Sequence, residues 1–346
     1  MCFTRISTFL TAILIWIAVP ASGFDIEVRQ VFPAKSETAQ LNIISTADLG
    51  AFRPIILKFQ AQNPGVTVDY TIASSTELMK AIYQENARFD LAISSAMDLQ
   101  TKIANDGLAK TFTSQQTDDL PDWAKWRNQV FAFTQEPAVL VVSDAFFPTD
   151  NTPASRDELI ELLRENPERF LGRAGTYDVR TSGLGYLFAT QDSRSSESFW
   201  RLTEIMGRLD SKLYCCSSQM ISDVASGKLA FAYNVLGSYA ASRLPYTKGF
   251  RIVELEDFLS VMLRTVLIPT NAENDGTARL MVNFLVTLNE KPELVRASGL
   301  PPISDAELQS NNALRPIRLG PGLLVFLDRL KRENFISSWA NSIEQD

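Results

Sequence analysis

Small hydroxyl residues recur wherever a short apolar run gives way to a helical pattern. Ser45-Thr46-Ala47-Asp48 follows the first such run, Ala73-Ser74-Ser75-Thr76 the second and Ser94-Ser95-Ala96 the third. Farther along, Arg180-Thr181-Ser182-Gly183 and Cys216-Ser217-Ser218 each open a helical stretch, and Asn234 stands just ahead of Gly237-Ser238-Tyr239. The first N–H groups of a helix lack intrahelical partners, and with the helix dipole and nearby hydroxyls they suit an oxyanion. A single serine of this kind reads most simply as an N-cap. Six such turns on one face are harder to assign to capping alone, though all six need not touch a ligand. Arg180 could add a guanidinium fork or be a solvated loop residue. Tyr239 could offer its phenol or simply pack half-buried.

Other chemistries are poorly served. The chain has 346 residues and no histidine, which removes Ser-His-Asp and Cys-His catalysis in their usual forms and imidazole metal sites. No carboxylate pair has a context for acid–base work, and Ser94-Ser95 has no base partner by motif. Neither a phosphate-binding Walker pattern nor Gly-x-Gly-x-x-Gly occurs, and Gly183-Leu184-Gly185 is too short to count. No cofactor, metal or catalytic residue is therefore expected. Lys and Arg number 33 against 40 Asp and Glu, with no basic tract, so nucleic acid is not an expected partner.

The elements that must place these turns follow from periodicity. Leu41–Ser45 reads as a strand. Phe52, Ile55, Ile56 and Phe59 fall at i, i+3, i+4, i+7 within a helix over 50–63 that Pro64-Gly65 ends. Val66–Ile72 alternates as a strand, and Ser74-Ser75-Thr76-Glu77 begins a helix with a capping box. A strand over 90–94 and a helix over 97–105 complete a βαβαβα block, the pattern of a parallel sheet covered by helices. A second block has a strand over 229–233 and helices near 155–164, 183–189, 198–209 and 219–226. Further helices are expected over 278–288 and 321–333. Trp123 and Trp126 read as core, and Glu136-Pro137 as the turn opening a strand. The β-rich runs near 135–142 and 261–269 lie between the blocks and read as hinge strands, so the chain crosses between lobes twice.

Residues 1–23 read as a secretory signal peptide: Arg5, an apolar run from Phe9 to Val19, then Pro20-Ala21-Ser22-Gly23. Its removal takes Arg5 as the sole charged residue, leaving 32 basic against 40 acidic residues, net −8. Residues 24–40 lack periodicity and read as a leader. Cys215 and Cys216 remain, and could be small buried residues beside a site, a disulfide between neighbours, or a soft-metal ligand pair.

The order of these stretches resembles the periplasmic solute-binding proteins of ABC importers, in the branch holding ferric-iron binding proteins and phosphoglycerate transport regulatory proteins. The resemblance rests on Ser74-Ser75-Thr76-Glu77-Leu78, on Asp90-Leu91-Ala92-Ile93-Ser94-Ser95-Ala96-Met97-Asp98, and on 123–137, 177–186, 227–239 and 281–285 with Pro292-Glu293. It implies an α/β protein of two lobes, the type II arrangement, closing on a ligand. The lobes would be 24–135 with 269–346, and 136–268. Carried over, the ligand-facing residues are Thr46, Ser74, Ser75, Ser94, Ser95, Thr181, Ser182, Asn234 and Tyr239, to which the residue chemistry adds Arg180. The ferric-binding relatives carry two consecutive tyrosines, usually preceded by Asn-His, just after the strand that here ends at Tyr233. This chain reads Asn234-Val235-Leu236-Gly237-Ser238-Tyr239. The expectation is thus an exported, monomeric, periplasmic protein. It binds a phosphorylated or carboxylated small molecule and presents it to an ABC permease or a membrane sensor kinase. Its alternatives are a ferric-iron carrier and an exported hydrolase.

Overall fold

The computed structural model describes residues 23–148 and 152–345, so the expected signal peptide lies outside the described residues except for Gly23. Among the described residues twelve strands form one sheet, nine on a single path and β5, β10 and β12 beside it: β1 Val28–Phe32, β2 Ala39–Ser45, β3 Val66–Ile72, β4 Leu91–Ser94, β5 Lys125–Trp126, β6 Val130–Ser143, β7 Ala174–Tyr177, β8 Lys212–Tyr214, β9 Phe231–Leu236, β10 Phe250–Val253, β11 Leu259–Leu267 and β12 Leu314–Pro316. The order is β1-β3-β2-β4-β11-β6-β9-β7-β8. In the first lobe β2 runs parallel to β3 and to β4. In the second, β7 runs parallel to both β8 and β9.

Each crossover helix buries its apolar stripe. Helix Leu49–Gln62 buries Phe52, Ile55, Ile56 and Phe59, as the spacing predicts. Its end at Gln62 agrees with the stop at Pro64-Gly65, since Val66 N–H returns to the Asn63 carbonyl and the chain turns into β3. Each fully buried side chain of that size contributes about 1.5–3 kcal/mol.

The two predicted hinge runs are single long strands. β6 pairs with β11 over Phe131–Pro137, then with β9 over Ala138–Val142, and so belongs to both lobes. β11 joins β6 to β4. At this crossing Arg264 and Glu136, both fully buried, form an ion pair with Nε–Oε1 at 2.9 Å and Nη2–Oε2 at 3.1 Å. The hydroxyls of Thr134 and Ser238 also donate to Glu136.

Three expectations are corrected. Residues 24–40 are not a bare leader, because β1 pairs antiparallel with β3 from Val28↔Ile72 to Phe32↔Val68. Only Phe32 of β1 is buried, so this edge strand has no apolar period to betray it. The helix expected over 321–333 is two elements: a 3-10 turn Pro321–Leu327, then Arg329–Ile343, capped by Asp328 accepting from Lys331 N–H. Nor does the whole of 269–346 pack with the first lobe. Phe335, Trp339 and Ile343 join the second lobe's core beside Phe199 and Leu202, because helix Arg329–Ile343 packs its buried face on helix Ser198–Arg208.

Candidate ligand-binding cleft

Parallel strands aim their carboxyl ends at one edge of a sheet, where ligands of open α/β folds sit. Here the ends of β2, β3 and β4 face those of β7, β8 and β9 across a cavity of about 350 Å³. Its walls include Thr46, Ser74, Ser75 and Ser95 from the first lobe, and Thr181, Ser182, Ser217, Ser218 and Tyr239 from the second. Ser74 caps helix Ser75–Tyr83 by accepting from Glu77 N–H, and Ser182 caps Gly183–Ser195 by accepting from Gly185 N–H. Cys216 stands at the start of Ser217–Ala225 without a side-chain cap. Three helix N-termini thus meet at one cavity. A larger open groove of about 1040 Å³ lies on the outside of the first lobe, but none of the strand-to-helix turns reaches it.

The lobes touch over the cavity. Asp48 N–H donates to the Tyr239 phenol at 3.0 Å, Ser218 Oγ donates to Asp48 Oδ2 at 2.9 Å, and Gly183 N–H donates to Ser75 Oγ at 3.1 Å. The last contact needs glycine: a Cβ on residue 183 would sit 2.4 Å from Ser75 Oγ. Within the first lobe, Ser95 N–H donates to Thr46 Oγ1 at 3.1 Å, tying two of the turns together.

Among the described residues the formal charges on the walls are Glu27 and Asp48, and no Lys or Arg lines the cavity. Burial, helped by Asp48, raises the Glu27 carboxyl above its usual range. Burial pushes Tyr239 up to about 12, against the opposing pull of Arg264, and likewise raises Tyr177. Both phenols are therefore neutral near pH 7. The Tyr177 hydroxyl is hydrogen-bonded to Ser217.

Seven of the ten expected residues line this cavity: Thr46, Ser74, Ser75, Ser95, Thr181, Ser182 and Tyr239. Three do not. Ser94 is buried beneath it, its Oγ taken by Ala96 N–H and its carbonyl by Thr265. Asn234 turns into the second lobe, donating to Asp192 Oδ2 at 2.8 Å in a buried group with Tyr233 and Ser260. Arg180 lies outside: its fork grips Asp178 through Nε–Oδ1 and Nη2–Oδ2, both 2.8 Å, while Nη1 reaches Glu344 Oε1 at 2.7 Å. Two carboxylates satisfy this arginine, so it is not free to take a ligand.

Glu27, Asp48, Tyr177, the Cys215–Cys216 pair and Gln219 line the cavity without having been singled out as ligand-facing. The cysteines form a disulfide between neighbours, the second of the three alternatives. Asp48 ends the turn after β2 and Ser217-Ser218 opens a helix, so turn position is the signal that points to them. Glu27 had none, because it reaches the cavity through β1: its N–H donates to the Ile72 carbonyl at the end of β3. Trp123 and Trp126 lie elsewhere and pack against the core.

Residues 41–297 match the model of the bacterial extracellular solute-binding protein family, and the chain belongs to that family. The substrate-binding protein of an ABC transporter from Agrobacterium tumefaciens is 33% identical, with a TM-score of 0.88 over 93% of this chain and 100% of that one. At 14% identity, AfuA of Actinobacillus pleuropneumoniae, solved with exogenous fructose-6-phosphate bound, shares the fold with a TM-score of 0.71 over 90% of this chain and 100% of its own. Iron-bound HitA of Pseudomonas aeruginosa does so at 16% identity and 0.68, over 88% and 99%. No protein of curated function matches the chain. The fold is the two-lobe type II arrangement, and the protein is a solute-binding component of an ABC transporter. Among the described residues no helix is long and apolar enough to cross a membrane.

Proposed function

We propose that this protein is exported to the periplasm, where as a monomer it captures a small oxyanion-bearing solute, phosphorylated or carboxylated. It then presents the closed form to an ABC permease or a membrane sensor kinase. The observation that carries this reading is the meeting of three helix N-termini, with their hydroxyls, at one interlobe cavity. Helix dipoles and the hydroxyls of the first turns favour an oxyanion there without a guanidinium. Glu27 and Asp48 add a condition: the part of the solute that meets them is neutral or positive, since a like charge at close range is repelled. The site residues proposed are Thr46, Ser74, Ser75, Ser95, Thr181, Ser182 and Tyr239.

A solute that binds only the native state raises its stability by RT ln(1 + [L]/Kd). The test is thermal unfolding with 3-phosphoglycerate, phosphoenolpyruvate, phosphate, polyols, di- and tricarboxylates and ferric complexes. A rise confined to phosphorylated or carboxylated compounds, lost in Ser74→Ala with Ser182→Ala, supports the reading. No rise with any of them sinks it.

A second reading, a ferric-iron carrier, is favoured by Tyr177 and Tyr239 lining the same cavity as Glu27 and Asp48, since a hard cation takes anionic oxygen ligands. The raised phenols oppose it, and the described residues hold no cluster of three His, Cys, Asp or Glu suited to a metal. A visible tyrosinate-to-iron band after ferric loading would support this reading; a colourless protein would end it.

A further inference from the structure

A second chamber of about 230 Å³ lies along the same seam. Ser75 of the first cavity and Gly183 of this chamber form the interlobe hydrogen bond that closes the seam between them, and Ser182 borders both. The chamber's walls come from both lobes and the C-terminal segment, so it is complete only when the lobes are together. They are mainly apolar, with Met79, Leu99 and Val179 facing Leu327.

One end is different. Asp98, 3% exposed, contributes to the wall, and its Oδ1 has no hydrogen-bond partner. An orphaned buried carboxyl oxygen is costly, which marks a place where something can bind. Arg332 also lines the chamber. Its guanidinium lies 5.3 Å from the Tyr186 ring centroid and makes no ion pair among the described residues. The other cations at the walls are occupied, Lys102 by Asp106 and Arg180 by Asp178 and Glu344. Apolar walls thus end in one unpaired guanidinium and one unpartnered carboxyl oxygen.

We propose that this chamber is a second binding site, for a small monocarboxylate with a short apolar chain. The chain lies against Met79, Leu99 and Leu327. The carboxylate accepts from Arg332 at one oxygen and from the protonated Asp98 carboxyl at the other. Burial, outweighing the pull of nearby backbone N–H groups and Arg332, pushes Asp98 up to about 7, so the donor form is available at neutral pH. The groups facing Asp98 are Lys102 on its own helix, Tyr186 on Gly183–Ser195, Arg180 just before that helix, and Arg332 on Arg329–Ile343. Because both lobes form the walls, an occupant favours the closed form.

Hexanoate is the probe, followed by ligand-observed NMR on the purified protein, with hexanol as the uncharged control. Saturable hexanoate binding is expected, with hexanol at least tenfold weaker. Arg332→Gln should weaken hexanoate by about ten- to hundredfold, the range for hydrogen bonds to a charged group. Above pH 7 the wild type should lose about tenfold in affinity per pH unit as Asp98 ionises, whereas Asp98→Asn, which keeps a donor, should hold a level affinity from about pH 6 to 8. Met79→Trp, which fills the apolar end, should abolish binding with circular dichroism unchanged. The proposal fails if hexanoate does not saturate, if hexanol binds equally well, or if Arg332→Gln and Met79→Trp leave binding intact. None of these results bears on the phosphorylated and carboxylated compounds tested at the first cavity.

Discussion

Arg264 and Glu136 meet on the two strands that join the lobes, both with no exposed side-chain surface. Four donor contacts converge on the one carboxylate: two from the guanidinium and one each from Thr134 and Ser238. Arg264→Met removes the cation and leaves a buried carboxylate with only two hydroxyl partners. Breaking one side of a buried pair costs about 3–5 kcal/mol. Unfolding entropy of about 2.1 cal/mol/K per residue gives roughly 0.7 kcal/mol/K for a chain of this size, so Tm should fall by roughly 4–7 °C. Adding Glu136→Leu removes the stranded charge, and the double variant should recover most of the loss. Calorimetry on the wild type, both single variants and the double variant closes a thermodynamic cycle. There is a functional consequence too. Ser238 holds Glu136, and the next residue, Tyr239, has its ring centroid 5.7 Å from the Arg264 guanidinium. The single variant should therefore also disturb the contact between Tyr239 and Asp48. A loss below about 1 kcal/mol for Arg264→Met, or purely additive single variants, would refute the view that this pair holds the crossing together.

Two further outcomes follow from the seam. Tyr239→Phe with Ser218→Ala removes two of the three interlobe hydrogen bonds described above, each worth about 0.5–1.5 kcal/mol. The closed-to-open ratio of the ligand-free protein should fall by about 5- to 150-fold, read by interlobe energy transfer; an unchanged distance distribution rules out these contacts as a latch. Asp98 titrates near 7 when folded, against an ordinary 3.8. The native state therefore keeps a proton that the unfolded chain gives up, and stability falls as pH rises from about 4 to 7. Asp98→Asn removes this dependence, so its Tm advantage over wild type should be absent near pH 4 and grow to a maximum above pH 7, worth up to roughly 4 kcal/mol. Parallel Tm curves for the two proteins would show that Asp98 ionises freely in the fold.

Local pattern carried much of the architecture. The stripe Phe52, Ile55, Ile56, Phe59 fixes which face of its helix is buried, and the serines at 74 and 182 cap the helices they precede. Both signals depend only on neighbours within one or two turns, which is why they are legible without a structure. The hinge runs are legible as β-rich from Ala138–Val142 and Val261–Leu263, because a strand buried on both faces is largely apolar. Residue type and turn position then placed seven of ten expected residues at the cavity wall.

Tertiary structure decided what each polar group is left to do. Arg180, Ser94 and Asn234 have the chemistry of ligand contacts, yet Asp178 with Glu344, Ala96 and Asp192 already engage them. Glu27 has no local signature, but antiparallel pairing of an exposed edge strand carries it to the cavity. The sign of the cleft changed in consequence, from one expected cation to two carboxylates set among helix N-termini. A side chain's type and its turn are properties of a few consecutive residues. Whether it is free to bind depends on partners brought by folding, and those of Arg180 include Glu344, which is 164 residues away in sequence.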